Sequence, residues 1–357
     1  MKISMRVYRA LAKLLLVLVA LVFVGVLVFL GMQISGKNKL YGETKGLVPD
    51  MSRGADPGRS ELLEAFNPSE SDWQEGDVRY EGVHYRYNSD ILTFLFLGID
   101  KMSEVKATEE GDQGGQSDAI FLLVLDPHSK KATVIGIPRD TMAEIDVYSP
   151  GGNFLGTTTA QITLQHGYGD GAQTSCERSK KAVSKLLYDM PIHGYCAINM
   201  GAISLINDAV GGVEVTALED VVNSNIKKGQ TIRLQGQQAY QYVHNRDTNS
   251  AESAFRRLDR QKQYLSAYAS TALSAMKKDI TLPVTLYSTI SKYMVTDITI
   301  DEVSYLATQV SDYSFDGDSI CSLQGEVVKG EVYEEFYVDE DALYELILKV
   351  FYEPVSN

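Results

Sequence analysis

The sequence predicts an α/β protein, a three-layer α/β/α domain with a central mixed sheet, preceded by one N-terminal transmembrane helix. Three observations carry this reading. Leu14 to Met32 contains no charged residue; Ile91 to Ile99, Ala119 to Leu125 and Ala132 to Ile137 are nearly continuous apolar runs; and helical and strand periodicities alternate from there to the C-terminus. A chain of 357 residues, 44% hydrophobic and 22% charged, has the apolar material for such a domain.

The stretch 14–32, rising about 1.5 Å per residue, covers roughly 28 Å, close to the hydrocarbon thickness of a bilayer. Lys2, Arg6, Arg9 and Lys13 precede it without an acid, whereas Lys37 and Lys39 are soon met by Glu43. The positive-inside rule then leaves residues 1–13 in the cytoplasm and everything beyond about residue 35 outside the cell membrane. Gly31-Met32-Gln33-Ile34-Ser35 lacks a small-x-small cleavage pattern, which favours a retained single-pass anchor over a signal peptide. Residues 33–75, rich in Gly, Pro, Ser and acids without apolar periodicity, read as an extracytoplasmic linker. A folded domain over 76–357, with its core at 91–275, follows.

Val78 to Tyr87 patterns as a small hairpin turning at Glu81-Gly82. The three apolar runs belong in a sheet covered on both faces, and the charged, Gly-rich stretch 101–117 reads as an exposed loop. Helices are expected over 177–188, 200–210, 256–276, 300–310 and 341–351, and strands near 195–199, 213–216, 319–323 and 334–338. Gly211-Gly212 marks a sharp passage from helix to strand. Cys176, Cys196 and Cys321 are too few for a disulfide framework, have no zinc-like spacing, and read as buried free thiols.

The formal net charge is -14, although the N-terminal segment is basic. Such a surface repels phosphate backbones, which argues against nucleic acid as a partner and requires a local cationic cluster for any anionic ligand. Asp100 closes the first buried strand and Asp118 opens the second, so antiparallel pairing would bring both carboxylates to one sheet edge. There they would either supply oxygens to Mg2+ or cap turns. Pro138 fixes the chain leaving the third strand, which holds Arg139 at an exit where α/β proteins place ligand-binding groups, unless it pairs with Asp140 or Glu144. Arg246, Arg256, Arg257 and Arg260 lie within fifteen residues, and Arg257 and Gln261 share a face of a predicted helix start. Cations are disfavoured at a helix N-terminus unless an anion is received there, so this segment reads as a phosphate clamp or as a solvated basic face.

In order along the chain, Phe96-Leu97-Gly98-Ile99-Asp100, Ser117-Asp118-Ala119-Ile120, Ile137-Pro138-Arg139-Asp140-Thr141, Gln165-His166-Gly167-Tyr168-Gly169, Pro191-Ile192-His193-Gly194-Tyr195 and Ile206-Asn207-Asp208-Ala209-Val210-Gly211-Gly212-Val213 precede the arginine-rich segment. Over about residues 91–275 this series resembles the LytR-CpsA-Psr family of cell-envelope phosphotransferases. The resemblance implies a catalytic domain that transfers a glycopolymer phosphate from a polyprenyl-pyrophosphate carrier to peptidoglycan, holding the lipid in an apolar tunnel. It implies that Asp100 and Asp118 hold Mg2+, that Arg139, Arg246 and Arg257 bind the pyrophosphate and act in catalysis with Asp118, and that Arg260 and Gln261 add substrate contacts. Phosphoryl transfer needs mainly positioning and charge stabilisation, which agrees with these residue types. Asp140 either takes the acceptor proton or orients Arg139.

The chain departs from the family pattern at Gln116, Thr163 and His244, where the family often has cations. A less positive site leaves two alternatives beside the transferase: a non-catalytic polyprenyl-phosphate-binding envelope regulator, and a hydrolase that uses water as acceptor.

Overall fold

A computed structural model of the chain describes residues 28–42, 44–54, 63–65, 73–108, 114–247, 253–276, 278–279, 282–310, 313–315, 319–330 and 333–355. Residues 14–27 of the expected membrane span lie outside these, and none of the described helices is long and apolar enough to cross a membrane. The first helix, α1 (residues 28–42), occupies part of the stretch whose composition reads as a linker. Its polar side chains find distant partners: Gln33 donates to Ser304 Oγ at 2.9 Å, Lys39 pairs with Asp301 at 2.9 Å, and Leu40 is buried. Gly36 approaches the Asp301 carbonyl too closely for any Cβ.

The chain then runs through β1 (Leu63–Ala65), β2 (Val78–Tyr80), β3 (Val83–Tyr87), β4 (Leu92–Ile99), β5 (Ser117–Asp126) and β6 (Lys131–Ile137). A hairpin, β7 (Met142–Tyr148) and β8 (Phe154–Gln161), leads to α2 (Leu164–Gly167), α3 (Gln173–Leu186), β9 (Gly194–Asn199) and α4 (Ile203–Ala209). A second hairpin, β10 (Val213–Thr216) and β11 (Thr231–Leu234), is followed by α5 (Gln237–His244), α6 (Ser253–Met276), α7 (Leu282–Ile290), β12 (Met294–Thr296) and α8 (Ile300–Gln309). The chain closes with β13 (Ile320–Ser322), β14 (Gly325–Lys329), β15 (Glu334–Val338), α9 (Glu340–Phe351) and β16 (Tyr352–Pro354).

The central sheet is mixed, in the order β12-β9-β4-β5-β6-β13. β4, β5 and β6 are antiparallel neighbours, the first two joined by the long connection 100–116 and the last two by a short turn, whereas β9 returns parallel to β4 after the crossover through α3. Alternation along β4 and β5 sends Leu95, Leu97, Ile99, Ile120 and Leu122 to one face, against Val183 of α3 and Ile347 of α9. Leu92 and Phe94 face the other way, onto Leu40 and Tyr305 of α8. Helices thus cover both faces, which is why these strands read as continuous apolar runs. A second apolar cluster lies among the β10–β11 hairpin and helices α4 to α7, and Gly212, at φ +84°, lets the chain turn tightly into β10. The β7–β8 hairpin escapes sequence reading because β8 is exposed on most of its length and has no apolar alternation.

Cys176 and Cys196 are buried and Cys321 is half-buried, all as free thiols, and burial pushes the Cys196 thiol up to about 12. Two buried histidines are locked in neutral form. His193 Nδ1 accepts from the Thr93 N–H at 3.1 Å, and His166 Nδ1 donates to the Gly115 carbonyl at 3.0 Å. Burial lowers each to about 4. Below about 6.5 the unfolded chain takes up protons that the folded one refuses, so stability is complete above that pH and falls as pH drops toward 4. The loss is up to about 3 kcal/mol per histidine. Urea midpoints at pH 7 and pH 5 check this: the midpoint should fall, and His193→Gln should remove part of the fall. Equal midpoints would show that these rings protonate freely in the fold.

Candidate functional site

The β4/β5 register sets Ile99 opposite Ser117, so Asp100 and Asp118 emerge at the same sheet edge. The Asp100 N–H donates to the Gln116 carbonyl at 3.0 Å, closing that edge. Beside them β6 ends at Ile137, paired with Ile120, and Pro138 turns the chain so that Arg139 leans back over β5. Thr163 pins this exit: it is fully buried, its hydroxyl donates to the Ser117 carbonyl at 3.0 Å, and its N–H donates to the Arg139 carbonyl at 3.2 Å.

Asp118 is held between two guanidiniums. Arg139 Nη1 donates to one carboxylate oxygen, and Arg257 Nη1, from the second turn of α6, donates to the other at 3.0 Å. Both Asp118 and Arg257 are buried. Arg139 also donates to the Gln116 side chain, while its Nε lies 3.4 Å from Asp140 Oδ1 and makes no hydrogen bond. Asp140 is buried and receives Gln161 Nε2 at 3.1 Å.

Asp100 remains half exposed, with His244 Nε2 3.5 Å away. The hydrogen bond with His244 holds the Asp100 carboxyl below its usual range, helped by the charges of Arg139 and Arg257. Burial raises the Asp140 carboxyl, against the pull of Arg139, Arg246 and Arg257. Burial also lowers Arg257, which Asp118 counters. Arg246 is partly exposed, makes no ion pair among the described residues, and adds its charge to the field on Asp140 and Arg257.

The structure separates Arg260 and Gln261 from this group. A helix leaves its last carbonyls without partners and favours cations near that end. The end served here is that of α5: Arg260 Nη1 and Nη2 donate to the Tyr242 and Asn245 carbonyls, and Gln261 Nε2 donates to the Val243 carbonyl at 3.0 Å. Arg260 Nε completes its set with Glu219 at 2.9 Å, and the side chain is 1% exposed. Arg260, expected among the substrate contacts, here spends its donors on these partners and braces the end of α5 that carries His244 and leads to Arg246. Gln261 serves the same brace. Arg256 points to the same acid, at 3.0 Å from Glu219, and does not stand in for a missing cation at Asp118. Tyr240, absent from the sequence reading, stacks on His244 with ring centroids 4.6 Å apart. Its signal was the i, i+4 spacing on α5.

Asp100, Asp118 and His244 each offer a ligand atom within 4.8 Å of the others. Two carboxylates and a ring nitrogen thus lie with Arg139, Arg246 and Arg257 at one edge of the covered sheet of an α/β protein, residue types that suit anions and hard cations.

The chain belongs to the LytR_cpsA_psr family, whose model matches residues 63–347. It is 26% identical over 319 residues to the polyisoprenyl-teichoic acid–peptidoglycan teichoic acid transferase TagU of Oceanobacillus iheyensis, covering 86% of each chain. With the relative of the same name from Bacillus cereus it shares 32% identity over 178 residues, 50% of this chain and 51% of that one. Among solved structures, the fold matches that of Bacillus subtilis TagV with a TM-score of 0.56 at 24% identity, over 72% of this chain and 94% of that one. It also matches TagT bound to LI-WTA, with a TM-score of 0.53 at 22% identity, over 73% of this chain and 89% of that one.

Proposed function

We propose that this chain transfers a glycopolymer phosphate from a polyprenyl-pyrophosphate carrier to peptidoglycan, at an extracytoplasmic site anchored by a membrane helix over residues 14–32. The observation that carries the reading is Asp118 clasped by Arg139 and Arg257, with Asp100 open beside it. Two relatives named as teichoic acid transferases to peptidoglycan support the polymer class.

In the reaction an acceptor hydroxyl oxygen bonds to the phosphorus that carries the glycan, the P–O–P bond breaks, and polyprenyl phosphate leaves with the electron pair while the hydroxyl gives up its proton. The chain supplies no nucleophile. Arg139 and Arg257 are pre-set toward one point by a shared carboxylate, so their remaining N–H groups need little reorganisation to meet phosphate oxygens. Arg246, which makes no ion pair among the described residues, is a further donor for them. Asp140, fixed by Gln161, keeps the Arg139 fork in orientation.

The donor set suits Mg2+: Asp100 and Asp118 offer hard oxygens, and the depressed Asp100 carboxyl is ionised and half open. Held by those two residues, Mg2+ would supply charge neutralisation at the pyrophosphate. The test is the Mg2+ dependence of transfer by the full chain. Wild type should lose activity with EDTA and regain it with Mg2+, and Asp100→Asn should need at least tenfold more Mg2+ for half-maximal rate. Activity indifferent to EDTA, or an unchanged Mg2+ requirement in Asp100→Asn, would remove the metal from this site.

A further inference from the structure

The cationic site has an acidic neighbour. α6 turns about 100° per residue, so Phe255 and Arg257, two positions apart, look in opposite directions. Arg257 meets Asp118, while Phe255 packs on Phe336 with ring centroids 5.0 Å apart. On that second side lies an open groove of about 610 Å³, floored by Phe255, Leu323 and Phe336 and rimmed by Tyr337, Glu326 and Asp339. Leu323 and Phe336 are buried, whereas Tyr337 is 45% exposed and Glu326 is open to solvent. The groove is tied to the site through the backbone: the Phe336 N–H donates to the Asp140 carbonyl at 2.9 Å. Gln161 Nε2 bridges the same two elements, reaching Asp140 Oδ1 at 3.1 Å and the Glu334 carbonyl at 2.8 Å. None of the roles assigned above to the cationic site uses these groove residues.

We propose that this groove binds the acceptor, as an uncharged chain of N-acetylated amino sugars; the proposal rests on the transferase reading. Charge selects the occupant. Glu326 and Asp339 repel a phosphate-rich donor, which the guanidiniums attract on the far side of α6. A sugar ring lays its apolar C–H face against the exposed Tyr337 and the half-buried Phe255 and turns its hydroxyls, which can donate, toward Glu326 and Asp339. The volume falls in the range of small-ligand sites, roughly 300–1,000 Å³. The tie between Phe336 and Asp140 sets the groove beside the strand exit that carries Arg139, so a glycan chain seated in the groove can extend toward Asp118.

The experiment uses the full chain in detergent with two readouts: calorimetric binding of chitotetraose, and the separate KM values for donor and peptidoglycan in transfer. Tyr337→Ala and Glu326→Lys are the variants, both at exposed positions remote from the guanidiniums. Each should weaken chitotetraose binding and raise the peptidoglycan KM about tenfold, the equivalent of about 1.4 kcal/mol, with donor KM and thermal midpoint unchanged. Wild type that does not bind chitotetraose, or variants that bind it equally well, would overturn the proposal. So would a rise in donor KM in place of peptidoglycan KM. Binding is read without turnover, so groove-dependent binding with no transfer keeps the groove and defeats the transferase reading. Transfer with unaltered peptidoglycan KM in both variants does the reverse.

Discussion

Arg139→Ala is expected to lower kcat/KM for transfer by about 10²–10³-fold, the usual effect of deleting one pre-set donor to developing charge. The side chain has no other structural duty of comparable weight. Asp118 keeps its bond to Arg257 at 3.0 Å when Arg139 is removed, so no buried carboxylate is stranded. The loss should therefore be one of rate, with a thermal midpoint close to wild type. Lysine should not rescue it, because an ammonium cannot span Asp118 and Gln116 with a planar fork. Steady-state transfer assays with parallel thermal melts decide this. A variant that is inactive because it has unfolded would show that Arg139 holds the sheet exit and would leave its role in binding unproved.

Asp118→Ala should act on both stability and activity. It removes the shared counter-charge of two guanidiniums, one of them, Arg257, 3% exposed and already lowered by burial. An ion left buried without its partner typically costs about 3–5 kcal/mol, and denaturant unfolding of the full chain measures it. Asp118→Leu combined with Arg257→Met should recover much of that stability, because the more deeply buried ion goes with its partner, while Arg139 keeps Gln116 and the nearby Asp140. Activity should not return in the double variant. Recovery of transfer along with stability would mean that the cluster serves folding alone.

Much of the fold was legible because the buried strands carry their own signature. Runs apolar on both faces demand cover on both sides, and Asp100 and Asp118 at the ends of two such runs meet only if the strands are antiparallel neighbours, as β4 and β5 are. The Pro138-Arg139 exit was legible for the same local reason. What failed was whatever depends on a distant partner. The arginine segment was placed at the N-terminus of α6, but which helix end each cation serves depends on where α5 stops. Only Arg257 turns to the carboxylates, while Arg260 and Gln261 cap the carbonyls of Tyr242, Val243 and Asn245. α1 was read as linker because its polar residues look solvated until α8 is set against them. The replacements Gln116, Thr163 and His244 are likewise explained only in space. Gln116 receives Arg139, Thr163 is pinned to the Ser117 carbonyl in a fully buried position, and His244 faces Asp100.

The measurement that bears most directly on the central claim is transfer by the full chain, given labelled polyprenyl-pyrophosphate glycan, Mg2+ and peptidoglycan, with Arg139→Ala beside wild type. The account predicts that wild type moves label to peptidoglycan and releases one polyprenyl phosphate per glycan joined, and that Arg139→Ala does neither. Label released as free glycan phosphate, label bound to the chain without product, or full transfer by Arg139→Ala would contradict it.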